Sequence, residues 1–75
     1  MKRNEILYEL AIFFKEKDQP VHITLISGQW LNGKIISINE DFKDRLILIE
    51  EQYGEMLIFF DRIIDDGIKP RKQKE

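Results

Sequence analysis

The sequence predicts a small, mainly β domain in which an N-terminal α-helix precedes a five-stranded, strongly bent β-barrel. Two observations carry this prediction. Gly28 and Gly33 lie between alternating apolar and polar residues on both sides, which indicates a tight turn followed by a bent strand. Short apolar segments separated by polar turn residues then continue to Ile68, as expected for several short strands.

The composition leaves few ways to stabilise so small a domain. The chain has 75 residues, no cysteine and one histidine, so neither disulfides nor a closed zinc site can support it. A domain of about this size buries only about 60% of the surface that its unfolded chain exposes. Oligomerisation is the remaining common source of stability, and no cofactor or metal is expected.

Residues 4–17 are predicted to form the helix. Asn4 provides the N-terminal cap, Glu5 suits the positive end of the helix dipole, and Pro20 follows the last turn. The apolar arc is wider than one core-facing stripe, so we expect core contacts on one side and a partner, such as a second copy, on the other. The polar face is short and mixed in charge, which argues against a helix lying on a membrane.

The first two strands follow from period-two patterns. Residues 21–25 alternate, with His22 on the outer face as an exposed strand residue rather than a ligand or a general base. Residues 30–39 are predicted to form the second strand. Its predicted inner face contains Leu31, Gly33, Ile35 and Ser37, with Ile36 and Ile38 on the opposite face.

Three more strands complete the predicted sheet. A polar loop leads to a strand at 45–50, which is apolar enough to be covered on both faces. A hairpin at 51–55 places Gly54 at a positive φ, and a strand at 56–60 follows. After a break at Asp61 and Arg62, a fifth strand begins at Ile63 and ends at 65–67 or continues to Ile68.

A helix followed by five strands, the second bent at a glycine, is typical of small SH3-like or OB-like barrels. From about residue 4 to residue 68 the chain also resembles the Sm-like family, which comprises Sm, LSm and Hfq proteins. The resemblance depends on the alternating apolar strand at 21–25, Gly28 and Gly33 at the family's spacing, and Asn39 where the family usually has Asp. It also depends on Ile35, Leu46, Leu48 and Glu50, after a slightly longer loop.

The resemblance implies a homo-oligomeric ring of six or seven copies that binds single-stranded RNA, including uridine-rich RNA, in the cytoplasm. Such rings pair the fourth strand of one subunit with the fifth strand of the next, an association between sheet edges. The interface residues predicted on this basis are Met56, Ile58, Phe60, Ile63 and Ile64.

The resemblance also implies an RNA site. In the family, an aromatic or histidine and an asparagine from the loop after the second strand form a base slot with an arginine of a second motif. Here Asp61 matches that motif, whereas Phe59 and Phe60 stand at its Arg and Gly positions, and Arg62 lies one step from the acidic residue. Asp41 or Phe42 is the candidate for stacking, and Lys43 or Asp44 the candidate for the amide position. The predicted RNA-binding residues are Asn39, Asp41, Phe42, Lys43, Asp61 and Arg62.

A second interpretation is an assembly scaffold that keeps the fold but has lost base recognition. Carboxylates at 40, 41, 44 and 61 repel phosphate, and Phe42 then only caps the barrel. An enzyme is not expected, because one His, no Cys, two Ser and no glycine-rich phosphate loop provide no catalytic constellation.

The predicted boundaries are one domain at 1–68 and a short basic tail at 69–75, which holds four Lys or Arg against one acidic residue. Such a tail is either a solvated terminus or a non-specific phosphate contact. No apolar segment approaches the roughly 20 residues that a membrane-spanning helix needs, and no signal-peptide pattern is present, so we expect a soluble protein with no membrane partner.

Overall fold

The structure is a computed structural model that describes residues 3–71. It contains one helix and five strands in the predicted order, which confirms the mainly β fold. The elements are α1 (Arg3–Glu16), β1 (Val21–Leu25), β2 (Trp30–Ile38), β3 (Arg45–Glu50), β4 (Gly54–Phe59), a 3-10 turn (Phe60–Arg62) and β5 (Ile63–Pro70). Within the described residues, no helix reaches the length and apolarity needed to cross a membrane.

The five strands form one antiparallel sheet in the order β4-β3-β2-β1-β5. Its two edges, β4 and β5, are not paired with each other among residues 3–71, so the sheet is not closed. A flat sheet would hold these edges roughly 19 Å apart, four steps of about 4.8 Å. The four steps from Phe59 through the 3-10 turn to Ile63 span only about 8 Å at about 2 Å per residue, so the sheet must curl.

The core lies between α1 and the concave face of this sheet. Helix residues Leu7, Ala11 and Phe14 are buried against apolar residues from every strand. We call the opposite surface of the sheet its outer face. The buried strand and turn residues are Val21, Ile23, Leu31, Ile35, Ile38, Leu46, Leu48, Ile58, Phe60, Ile63 and Ile68.

Three of the four glycines have the roles that the sequence predicts. Gly28 and Gly54 have φ of 93° and 83°, so both turns use the positive-φ region that favours glycine. Gly33 is buried where β2 approaches β3. A Cβ there would overlap the Ile49 carbonyl oxygen and lie 2.8 Å from the carbonyl carbon, so Gly33 marks a close backbone approach.

Three expectations about strand faces are wrong: that Ser37 faces inward, that Ile38 faces outward, and that β3 is covered on both faces. Ser37 is exposed and Ile38 is buried, because a bulge between Ile35 and Ser37 reverses the alternation. Ile49 of β3 is exposed, because α1 covers only the inner face of the sheet.

The fifth strand is longer than predicted and continues to Pro70, which pairs with Val21. The pairing of β5 with β1 is irregular between Ile63 and Ile68, so the predicted turn residues and Gly67 remain within the strand. Lys69 of the predicted basic tail therefore belongs to β5. Residues 72–75 of that tail lie outside the described residues.

Candidate nucleic-acid interface

The loop between β2 and β3 is held by Asn39. Its Oδ1 accepts a hydrogen bond from the Phe42 N–H at 2.7 Å, and its carbonyl accepts one from the Lys43 N–H at 3.0 Å. Its own N–H donates to the carbonyl of Arg45 at 3.0 Å. An asparagine that bonds its own downstream backbone favours such a turn. Asn39 therefore shapes the loop, and Phe42 projects from it with 73% of its surface exposed.

One side of this loop meets the start of helix α1 at an open cavity of about 480 Å³, which we call the loop cavity. The Lys43 ammonium lies 5.3 Å from the centroid of the Tyr8 ring, within cation–π range. Asn4 Nδ2 donates to Asp61 Oδ1 at 3.3 Å, so Asp61 lies beside the same cavity. The lining residues are Asn4, Glu5, Tyr8, Glu9, Phe42 and Lys43.

On the other side of the loop, Arg45 lies between two exposed rings. Its guanidinium carbon is 5.9 Å from the Phe42 centroid and 5.6 Å from the Phe59 centroid. The Nη1 of Arg45 donates to both carboxylate oxygens of Asp44 at 3.1 Å, which orients the guanidinium. Arg45 and Phe59 are direct partners across β3 and β4. We call Phe42, Arg45 and Phe59 the aromatic cluster.

The structure brings together part of the predicted RNA site. Phe42 and Lys43 line the loop cavity, Asp61 accepts a hydrogen bond from Asn4 of its lining, and Asp41 is exposed on the same loop. Arg62 ends the 3-10 turn, where its carbonyl accepts the Ile26 N–H at 2.8 Å. The guanidinium that lies beside the Phe42 ring belongs to Arg45 and not to the predicted Arg62. Arg45 directly follows Asp44 in the chain.

Sequence reasoning missed Arg45, Phe59 and Tyr8. A signal for the first two was available from period-two alternation. Arg45 and Phe59 each adjoin a buried strand residue, Leu46 and Ile58, so both must project from the other, outer face of the sheet. Tyr8 had no comparable signal. Its meeting with Lys43 depends on how α1 crosses the sheet.

Most of the predicted interface side chains point into the core. Ile58, Phe60 and Ile63 are buried, Met56 packs against the core, and Ile64 is partly exposed. Four of the five nevertheless belong to the edge strands β4 and β5, whereas Phe60, predicted to end the fourth strand, lies in the 3-10 turn between them. The outer face beside edge β4 exposes a different apolar set, Ile36, Ile49, Leu57 and Phe59.

Glu50 is a buried carboxylate with a structural role at the end of β3. It accepts hydrogen bonds from the N–H groups of Asn32 at 3.1 Å, Gln52 at 2.6 Å and Tyr53 at 2.8 Å. Burial raises the pKa of Glu50, but these three donors and the charge of Arg71 outweigh it, so the pKa lies below its ordinary value of 4.5. Glu50 thereby ties the β3–β4 turn to β2.

The charge around the loop is mixed. Lys43 and Arg45 provide cations, while Glu40, Asp41 and Asp44 provide carboxylates within the same short segment. Within residues 3–71, no group of three or more His, Cys, Asp and Glu side chains is placed to hold a metal ion.

A scan against protein-family models and a search of curated proteins both find no match to this chain.

Proposed function

We propose that this chain is a Sm-like protein that binds single-stranded RNA at the loop cavity and the aromatic cluster, without catalysing a reaction. The observation that carries the proposal is Phe42, which is 73% exposed on an ordered turn with Lys43 on one side and Arg45 on the other. Stacking of a base on an aromatic side chain contributes about 1–3 kcal/mol and tolerates any base. The site therefore suits unpaired bases rather than a duplex.

The charges at this site predict an unusual balance of forces. Two cations flank Phe42, but neighbouring carboxylates offset their attraction for phosphate. At most about two phosphates are neutralised per copy, so log affinity falls with log salt with a slope no steeper than about −1.4 for each copy that the RNA contacts. Binding is dominated by stacking, and repeated copies of the site provide the avidity.

We further propose that the curled sheet completes a barrel-like subunit and that copies join into a ring of six or seven through β4 and β5. The strand order supports this, since these two strands are the edges of the sheet. An edge strand has backbone N–H and C=O groups available for pairing with another chain. Leu57 of β4 is exposed and supplies apolar area that such an interface would bury. The ring is a cytoplasmic ribonucleoprotein component in this proposal.

An assembly scaffold without base recognition is the second candidate. The carboxylates of the loop favour it, because each one opposes the approach of a phosphate. In that case the edges and the apolar outer face still drive assembly, but Phe42 contacts a protein partner. The two candidates therefore differ in RNA affinity and agree on oligomerisation.

Fluorescence anisotropy with labelled oligo-U and oligo-A, at several salt concentrations, tests the RNA function. We expect Phe42→Ala to weaken binding roughly 5- to 150-fold, as loss of one stacked base does. Arg45→Ala should weaken it more than Arg62→Ala, because Arg45 faces Phe42. Tyr53→Ala is the matched control, since Tyr53 is also an exposed aromatic, 60% accessible, but lies in the distant β3–β4 turn.

Absence of binding to both oligonucleotides at micromolar protein in low salt would reject the RNA function. Equal affinities of the Phe42→Ala and Tyr53→Ala variants would reject the site. If no RNA binds, light scattering in the same buffer tests the scaffold, because an oligomer that binds no RNA is the result expected of it.

A further inference from the structure

The wall of the loop cavity offers both hydrogen-bond acceptors and a donor beside an exposed ring. Phe42 provides the ring, Lys43 provides an ammonium, and Glu5 and Glu9 of α1 provide two carboxylates. A carboxylate only accepts hydrogen bonds, whereas an ammonium only donates them. The cavity volume of about 480 Å³ lies within the roughly 300–1,000 Å³ typical of small-molecule sites. The cavity is therefore large enough for one nucleotide base that stacks on Phe42.

The ammonium of Lys43 is held in place from both ends of the residue. The backbone of Lys43 has a φ of 55°, and its N–H donates to the Asn39 carbonyl at 3.0 Å. The ammonium lies 5.3 Å from the centroid of the Tyr8 ring. Because Tyr8 directly precedes Glu9 in α1, the donor lies next to the helical turn that carries the Glu9 carboxylate.

The Glu9 carboxylate is available to a ligand. Glu9 is exposed, lines the cavity, and has no hydrogen-bond or ion-pair partner among residues 3–71. Glu5 adds a second negative charge to the same wall, so a phosphate that enters the cavity is repelled. The cavity consequently favours the edge of a base over the backbone of an RNA strand.

The four RNA bases differ in the order of donors and acceptors along the pairing edge. Guanine presents an acceptor, O6, followed by two donors, N1–H and N2–H, whereas uracil presents one donor between two acceptors. Adenine and cytosine each lack two adjacent donors. An ammonium beside a carboxylate therefore complements guanine alone. With uracil, a carbonyl oxygen would face the carboxylate without a donor, and an unpaired polar group costs binding energy.

We propose that the loop cavity selects guanine in single-stranded RNA. The base stacks on Phe42, Glu9 accepts hydrogen bonds from its N1–H and N2–H, and Lys43 donates to its O6. This inference rests on the proposed function, because it takes the RNA site as given and names the base that the site prefers. Glu9 is the specificity-determining residue, and guanine replaces the uridine that the resemblance to the Sm-like family implies.

Anisotropy with labelled oligo-U strands whose central base is G, A, C or U tests this preference in the full-length protein. The strand with a central G should bind roughly 5- to 150-fold more tightly than the all-U strand, because a bidentate contact discriminates between bases to that extent. Lys43→Met, which removes the donor to O6, should reduce this ratio.

Glu9→Gln should remove most of the ratio between the central-G and all-U strands. It should not weaken binding of the all-U strand, because it also removes a charge that repels RNA. A purely structural role of Glu9 would instead lower both affinities equally. Glu16→Gln is the matched control, since it makes the same change at an exposed residue of α1 outside the cavity lining. Far-ultraviolet circular dichroism verifies that each variant is folded.

The outcomes separate guanine selection from the proposed function. Equal affinities for the four central bases, with binding that Phe42→Ala still weakens, would overturn guanine selection and leave the RNA site intact. A preference for adenine or cytosine, or a guanine preference that Glu9→Gln leaves unchanged, would also overturn it. Absence of binding to every strand would reject the RNA site and guanine selection together.

Discussion

Substitution of Gly33 by alanine should be among the most destabilising single changes to this fold. Gly33 is buried in β2 and pairs with Glu50 of β3. An added Cβ would overlap the Ile49 carbonyl oxygen and lie 2.8 Å from the Ile49 carbonyl carbon and 2.9 Å from the Glu50 Cα. All three atoms are backbone, so no side-chain rotation relieves the overlap.

The magnitude follows from what must move. The two strands would have to separate by roughly 1 Å, which costs about 1–3 kcal/mol as overpacking and weakens about two ladder hydrogen bonds at about 1 kcal/mol each. The expected loss is about 3–5 kcal/mol. A domain of 75 residues has a free energy of unfolding of only about 4–11 kcal/mol, so Gly33→Ala should be close to unfolded.

Urea unfolding followed by circular dichroism measures this loss, with Gly28→Ala as the control. A Cβ on Gly28 meets no atom within 4 Å, but φ is 93°, so alanine there costs only about 1–2 kcal/mol of backbone strain. A Gly33→Ala protein that loses less free energy of unfolding than Gly28→Ala would show that β2 and β3 are not in close backbone approach.

Three further predictions concern Glu50, the edge strand and the loop. Because the pKa of Glu50 is lowered in the folded state, its carboxylate contributes stability that is fully present above the ordinary pKa of 4.5. This contribution is lost as pH falls through the lower folded pKa, so Glu50→Gln should flatten the decrease in stability at acid pH in unfolding curves. Leu57→Lys should lower the mass found by light scattering, because it charges the apolar outer face, whereas Tyr53→Lys at the hairpin should not; equal masses would contradict the interface. Asn39→Ala removes the hydrogen bond to the Phe42 N–H, so it should cost about 1 kcal/mol of stability in urea unfolding and weaken RNA binding in anisotropy; unchanged RNA affinity would show that loop order is not needed.

Most of the fold could be predicted because its signals are local. The bounds of β1 and β3 agree with prediction, and Gly28 and Gly54 have the positive φ that their turns require. Period-two alternation and turn residues act over a few positions, so a single sequence reveals them. The alternation failed at the β2 bulge, where Ser37 and Ile38 exchange faces because the pairing with β3 shifts there.

The candidate site was predicted less completely than the fold. The loop containing Phe42 and Lys43 was identified, but the resemblance directed attention to Arg62 for the guanidinium. Arg45 faces Phe42 instead, because the first residue of β3 projects outward beside Phe59 of β4. A cross-strand contact of this kind depends on register, which only the assembled sheet defines.

By itself, the sequence determined the element order, the turn glycines and the exposed loop, since each depends on the conformational preferences of neighbouring residues. Tertiary structure decided which side chains meet. It placed Tyr8 under Lys43, Arg45 between two rings, and His22 beside Trp30. It also directed Ile58 into the core, because curling of the sheet encloses one face and leaves the other exposed. These juxtapositions link residues far apart in the chain, and such links arise only when packing and register are satisfied together.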